Sequence, residues 1–158
     1  MIHRLLYKQI IPDKIDKVWD FFSKPKNLNL ITPKDLNFEF LFGGEDPMFE
    51  GQLIGYRIQI MPLVKTHWLT EITHIVEGRY FVDEQKIGPY RLWYHEHIFE
   101  PTEEGVWMTD SVTYALPFGP FGEIVHTLYV YAKLKYIFDY RKNKIEEIFG
   151  KPPNSKSI

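Results

Sequence analysis

The chain has 158 residues, nearly balanced charge (net −2) and no cysteine. Its length supports one domain with a real core. The charge balance excludes a partner held by a basic surface, whether nucleic acid or anionic membrane, and the missing cysteines exclude a disulfide framework, thiolate chemistry and cysteine metal sites. Aromatic residues make up 16% of the chain against four methionines, which predicts a tight core or a lined pocket. The N-terminal run MIHRLLYKQIIPDK has no apolar stretch before a small-residue cleavage site. The longest uncharged run, Ser111 to Gly122, is broken by Pro117, Gly119 and Pro120 and is too short to span a bilayer. The expectation is a soluble, cytoplasmic protein without stable membrane insertion.

Residues 2–11 carry Leu5, Leu6, Tyr7, Ile10 and Ile11 and read as a strand that Pro12-Asp13 stops. Asp13 is placed to cap a helix over 14–23, with Ile15, Val18, Trp19 and Phe22 at helical spacing. After Pro25, Asn27 opens a second short helix that ends before Pro33. From Leu36 the period changes to two. Leu36, Phe38 and Phe40 alternate; Ile54, Tyr56, Ile58 and Ile60 share a face; so do Trp68, Thr70, Ile72 and His74. Pro62-Leu63, Glu77-Gly78, Gly88-Pro89 and Thr102–Gly105 supply the turns. Strands 80–86, 91–100 and 106–116 complete an antiparallel meander, the last with Met108, Asp110, Val112 and Tyr114 on one face. From Gly122 to Phe149 the period returns to 3.6, with Ile124, Leu128, Tyr131, Phe138 and Ile145 on one stripe. Asp139, Arg141 and the charges of Lys142–Glu147 read as its solvated face. Gly150 and Pro152-Pro153 end the helix, leaving one domain over 1–150 and a flexible tail over 151–158.

The stretch Phe81–Phe99 departs from plain core. Phe81, Asp83 and Gln85 share one face of the first strand, and Trp93, His95, His97 and Phe99 share one face of the second. Titratable groups on the aromatic face predict a cavity with a polar patch in its wall.

This order of elements resembles the helix-grip fold of the START/Bet v 1-like (SRPBCC) superfamily, and within it the bacterial ligand-binding group described as polyketide cyclase/dehydrase-like. The resemblance covers residues 2–149. It is carried by Trp19-Asp20-Phe21-Phe22, Pro25 with Asn27-Leu28, Thr32-Pro33, Gly51 with Tyr56, and Trp68. Phe81-x-Asp83-x-Gln85 with Gly88-Pro89-Tyr90, Trp93-x-His95-x-His97-x-Phe99, and Asp110 with Tyr114 and Pro117 complete it. It implies an α+β fold: a curved seven-stranded antiparallel sheet wrapped around a long C-terminal helix, two short helices after strand 1, and a hydrophobic cavity between sheet and helix.

The expected function is binding of a small hydrophobic or amphipathic ligand, such as a lipid, isoprenoid or polycyclic aromatic. The expected lining is Tyr56, Trp68, Phe81, Gln85, Trp93, His95, His97, Tyr114, Phe118, Leu128 and Tyr131. The loops Pro117–Gly122 and Gly43–Phe49 are candidate gates. The alternative is a cyclase- or dehydratase-type enzyme. In it Asp83 or Asp110 would orient His95 or His97 as general base, and Tyr56 or Tyr114 would stabilise a developing enolate oxygen. A third option is an interaction module whose cavity is filled by its own rings. His95 and His97 are spaced to chelate a metal with Asp83 or Asp110 as third ligand, but a site needs three or four converging donors and spacing secures only two. No metal and no cofactor are therefore expected, and nothing in the pattern specifies an oligomeric state.

Overall fold

In the computed structural model, residues 1–44, 47–61 and 63–152 are described. Glu45 and Asp46 of the Gly43–Phe49 loop, Pro62 of the expected Pro62-Leu63 turn, and the tail from Pro153 onward lie outside the described residues. Seven antiparallel strands form one sheet: β1 (His3–Ile11), β2 (Glu39–Phe42), β3 (Leu53–Met61), β4 (Val64–Val76), β5 (Tyr80–Ile87), β6 (Leu92–Thr102) and β7 (Gly105–Ala115). Their spatial order is β1-β7-β6-β5-β4-β3-β2. The meander from β2 to β7 thus runs in sequence, and β1 closes onto β7. The helix α1 (Ile15–Phe22) and 3-10 turns at Pro25–Ile31 and Lys34–Leu36 follow β1. A long helical segment ends the fold: α2 (Pro120–Val125), a π-helical turn (His126–Val130) and α3 (Tyr131–Phe149). This is the helix-grip arrangement.

Pleating puts alternate residues on the concave face, and α1 and α3 cover it. Trp19 of α1 meets the rings of Phe81 and Phe99 edge-on, at 6.1 and 5.5 Å. From α3, Leu134, Phe138, Arg141 and Ile145 are buried at helical spacing.

Three local readings change. Strand β2 begins at Glu39 and not at Leu36, because Asn37 adopts a left-handed conformation at φ 43° and closes a 3-10 turn. His74 faces solvent, because the β4–β5 register shifts between Ile72 and His74 and turns Ile75 toward the core in its place. In the helix, Leu128 and Tyr131 are 77% and 50% exposed. The π-helical turn inserts one extra residue into the 3.6 repeat, rotating everything before it by about 100° relative to α3. This carries Ile124 and Leu128 off the stripe. Tyr131, the first residue of α3, turns toward His126, ring to ring at 6.1 Å.

Candidate functional site

Between the concave face and α3 lies a cavity of about 620 Å³. Its walls are mainly apolar, from Met48, Ile54, Ile58, Ile72, Leu134 and Ile137, with a group of rings from Tyr56, Trp68, Tyr90 and Trp93. Trp68 lies nearly parallel to Tyr56 at 6.0 Å and meets Trp93 edge-on at 5.2 Å. Phe118 and Phe121 stand at its mouth, 82% and 76% exposed, and Phe118 holds a left-handed φ of 68°. Met48, from the opposite candidate gate, is buried in the wall instead.

Seven of the eleven expected lining residues border this space: Tyr56, Trp68, Phe81, Trp93, His95, His97 and Phe118. Gln85, Tyr114, Leu128 and Tyr131 do not. The Gln85 amide clamps the β5–β6 turn, donating to the Tyr90 carbonyl at 2.7 Å and accepting from the Tyr90 N–H at 3.2 Å. The Tyr114 hydroxyl lies 2.9 Å from Nε2 of His126 and is spoken for there. Both losses have one origin: face periodicity says inward or outward but not which buried groups satisfy each other.

The polar floor is built by register. Asp83 on β5 pairs with His95 on β6, and His97 pairs with Asp110 on β7, so period two brings all four side chains to one face of three adjacent strands. Oδ2 of Asp83 lies 2.9 Å from His97 Nε2 and 3.3 Å from His95 Nδ1. Oδ1 of Asp110 lies 2.9 Å from His95 Nε2 and 2.9 Å from His97 Nδ1, the latter without the alignment of a hydrogen bond. Burial disfavours charge on both carboxylates, but the imidazoles outweigh it. The His95 hydrogen bond and the close His97 ring hold Asp110 far below the usual carboxylate range. His95, His97 and Arg141 hold Asp83 below that range. Burial, reinforced by His97, lowers His95. Burial also opposes charge on His97, yet Asp110 and Asp83 outweigh it and raise that imidazole. The two carboxylates therefore favour a proton on His97 over one on His95.

Arg141, expected on the solvated helix face, is instead 9% exposed and borders the cavity, with its guanidinium 4.9 Å from the Phe138 ring. Its place at i+3 from Phe138 and i+7 from Leu134 was the available signal. Two buried donors of the wall, Nε of Arg141 and Nε1 of Trp68, have no hydrogen-bond partner among the described residues.

No family profile matches the chain, and no curated protein matches its sequence. Solved structures do. Protein CV1439 from Chromobacterium violaceum superposes with a TM-score of 0.70 at 9% identity, over 93% of this chain and 97% of that one. Ginseng major latex-like protein 151 from Panax ginseng gives 0.65 at 14% identity, over 94% and 98%. Ara h 8.0201 gives 0.58 at 16% identity, over 93% and 99%. These structures share the helix-grip fold described above. At these identities the likeness concerns the fold alone, and the Asp83–His95–His97–Asp110 group and Arg141 are read from this chain. Among the described residues, no helix is long and apolar enough to cross a membrane.

Proposed function

We propose that the protein binds a small amphipathic molecule in this cavity, with its hydrophobic body against the sheet and an oxygen-bearing polar end toward Arg141 and Trp68. The observation that carries the proposal is the mismatch in the wall: mostly apolar surface, with buried Arg141 Nε and Trp68 Nε1 donors lacking protein acceptors. A buried donor without a partner costs about 1–3 kcal/mol, and a ligand acceptor recovers that. The hydrophobic part is adequate as well. Burying about 300 Å² of apolar ligand surface at roughly 25 cal/mol/Å² gives about 7 kcal/mol before association costs. The volume falls within the range of about 300–1,000 Å³ typical of small-molecule sites.

Lipid, isoprenoid and polycyclic-aromatic acids all have this chemistry, and a carboxylate or other anionic oxygen suits Arg141 best. The cyclase alternative is weakened on one side, because Tyr114, one of its two candidate oxygen-stabilising groups, is engaged with His126 away from the cavity. Native mass spectrometry of the purified protein, repeated after denaturation, tests the proposal. A non-covalent adduct of small-molecule mass that disappears on unfolding is expected. Its absence, together with failure to bind any of a panel of fatty and aromatic acids, would overturn the reading.

A further inference from the structure

We infer that Asp83, His95 and His97 form a binding site for one divalent transition-metal ion at the cavity floor, with Asp110 as the supporting carboxylate behind both imidazoles. Sequence spacing secures two donors on one strand. The third converges only through the fold, where Asp83 lies directly opposite His95 in the β5–β6 ladder.

The two rings are oriented alike. Each has one nitrogen near Asp83 (His97 Nε2 at 2.9 Å, His95 Nδ1 at 3.3 Å) and the other 2.9 Å from Asp110, aligned as a hydrogen bond at His95 but not at His97. Donors held tetrahedrally about 2.0–2.1 Å from a zinc-sized ion stand about 3.4 Å apart. The Asp83–histidine separations would open by about half an ångström, with the Asp83 carboxylate swinging off its present line to the two nitrogens to make room for the ion, and all three donors lie within 4.8 Å of one another. They sit on neighbouring strands of the sheet's interior, which hold a site more rigidly than loops do.

Asp110 has the position of an outer carboxylate in a histidine metal site. There such a group takes the ring nitrogen turned away from the ion, fixes the tautomer and strengthens the ligand. Asp83, His95 and His97 border the cavity and Asp110 does not, so the remaining coordination positions of an ion would face the cavity. Two imidazoles with one carboxylate suit Zn(II), Fe(II) or Co(II) over Mg(II) or Ca(II), which prefer all-oxygen sites. Binding would displace any proton held on the ligating nitrogens.

A second cluster gives an internal control. His3, Glu123 and His126 also converge. There Glu123 is taken up by the N-terminal ammonium at 2.7 Å and by His3 at 2.9 Å, and His126 faces Tyr114.

The test is titration of metal-free protein with Co(II), followed by its visible ligand-field absorption and by Zn(II) competition. The expected result is one equivalent bound by the wild type. The bands should be lost in His95→Ala/His97→Ala, weakened in Asp83→Asn, retained in His3→Ala/His126→Ala, and weakened about 10–100-fold in Asp110→Asn. Far-UV circular dichroism establishes which variants are folded, and Asp83→Asn, nearly identical in shape, carries the test should the double alanine variant unfold. A wild type without ligand-field bands would overturn the inference. So would bands that survive unchanged in folded Asp83→Asn, or bands lost only in His3→Ala/His126→Ala. The inference does not depend on the cavity ligand, whose binding is read separately in metal-free protein.

Discussion

His97 stands opposite Asp110 across the β6–β7 ladder, its Nδ1 2.9 Å from Oδ1 of the carboxylate, and the same oxygen takes His95 Nε2 at 2.9 Å. One buried carboxylate oxygen on β7 therefore lies against two imidazoles, hydrogen-bonded to His95 and in close contact with His97. Asp110→Asn keeps the shape and removes a charge that favours a proton on His97. Breaking a buried charge pair from one side costs about 3–5 kcal/mol, and we expect a loss near the lower end because Asp83 still faces both rings. Urea unfolding checks this; an unchanged midpoint would mean the pair contributes nothing net.

Arg141 is the second lever. It makes no ion pair within 4 Å among the described residues, and its side chain packs on Phe138. Arg141→Met keeps the packing stem and removes the donors. Affinity for an anionic amphipathic probe is expected to fall about 10-fold or more, as for loss of a charge-assisted hydrogen bond, while affinity for a neutral probe of the same size changes little. Calorimetric titration with a matched acid and alcohol measures both. Equal loss for the two would place Arg141 in packing and not in recognition.

Tyr7 supplies a pH dependence outside the cavity floor. Its ring lies nearly parallel to that of Phe138 at 5.1 Å, and its hydroxyl donates to Asp139 Oδ1 at 3.2 Å. Burial, aided by Asp139, pushes the phenol up to about 12, against about 10 in the unfolded chain. Between these values the folded state keeps a proton that the unfolded state has lost, so stability falls as pH rises through this window and is fully present below it. In Tyr7→Phe the fall between pH 10 and 12 should be shallower by up to one proton. Unfolding free energies measured across that range test it, and parallel curves would contradict it.

Most of the fold was legible because its periods are clean. Two alternating faces in β6 and β7 placed Trp93, His95, His97, Met108, Asp110 and Val112 correctly with no information beyond order. The failures have local causes. The bulge at Thr73 turned His74 outward, and the π-helical turn broke the phase between Leu128 and Phe138. Neither leaves a mark in composition, since both depend on how a strand or helix is bent against its neighbours. Arg141 was missed for a different reason. An arginine in a charge-rich segment reads as solvated, and only its spacing from Phe138 and Ile145 betrays the inward face. Gln85 and Tyr114 were inward as expected but already committed to Tyr90 and His126, which a one-dimensional pattern cannot express.

We propose that the space between sheet and α3 takes up an amphipathic small molecule. The most direct measurement is titration with 1-anilinonaphthalene-8-sulfonate, an apolar fluorophore with an anionic end. Wild type is compared with Ile58→Trp, in which a larger side chain projects from the cavity wall. Since Phe118 and Phe121 are exposed at the mouth, the blocked variant separates binding inside from binding to the rim. Saturable one-to-one binding is expected in wild type, with energy transfer from Trp68 and Trp93, and its loss in folded Ile58→Trp. Equal binding in both proteins, or no saturable binding in wild type, would contradict it.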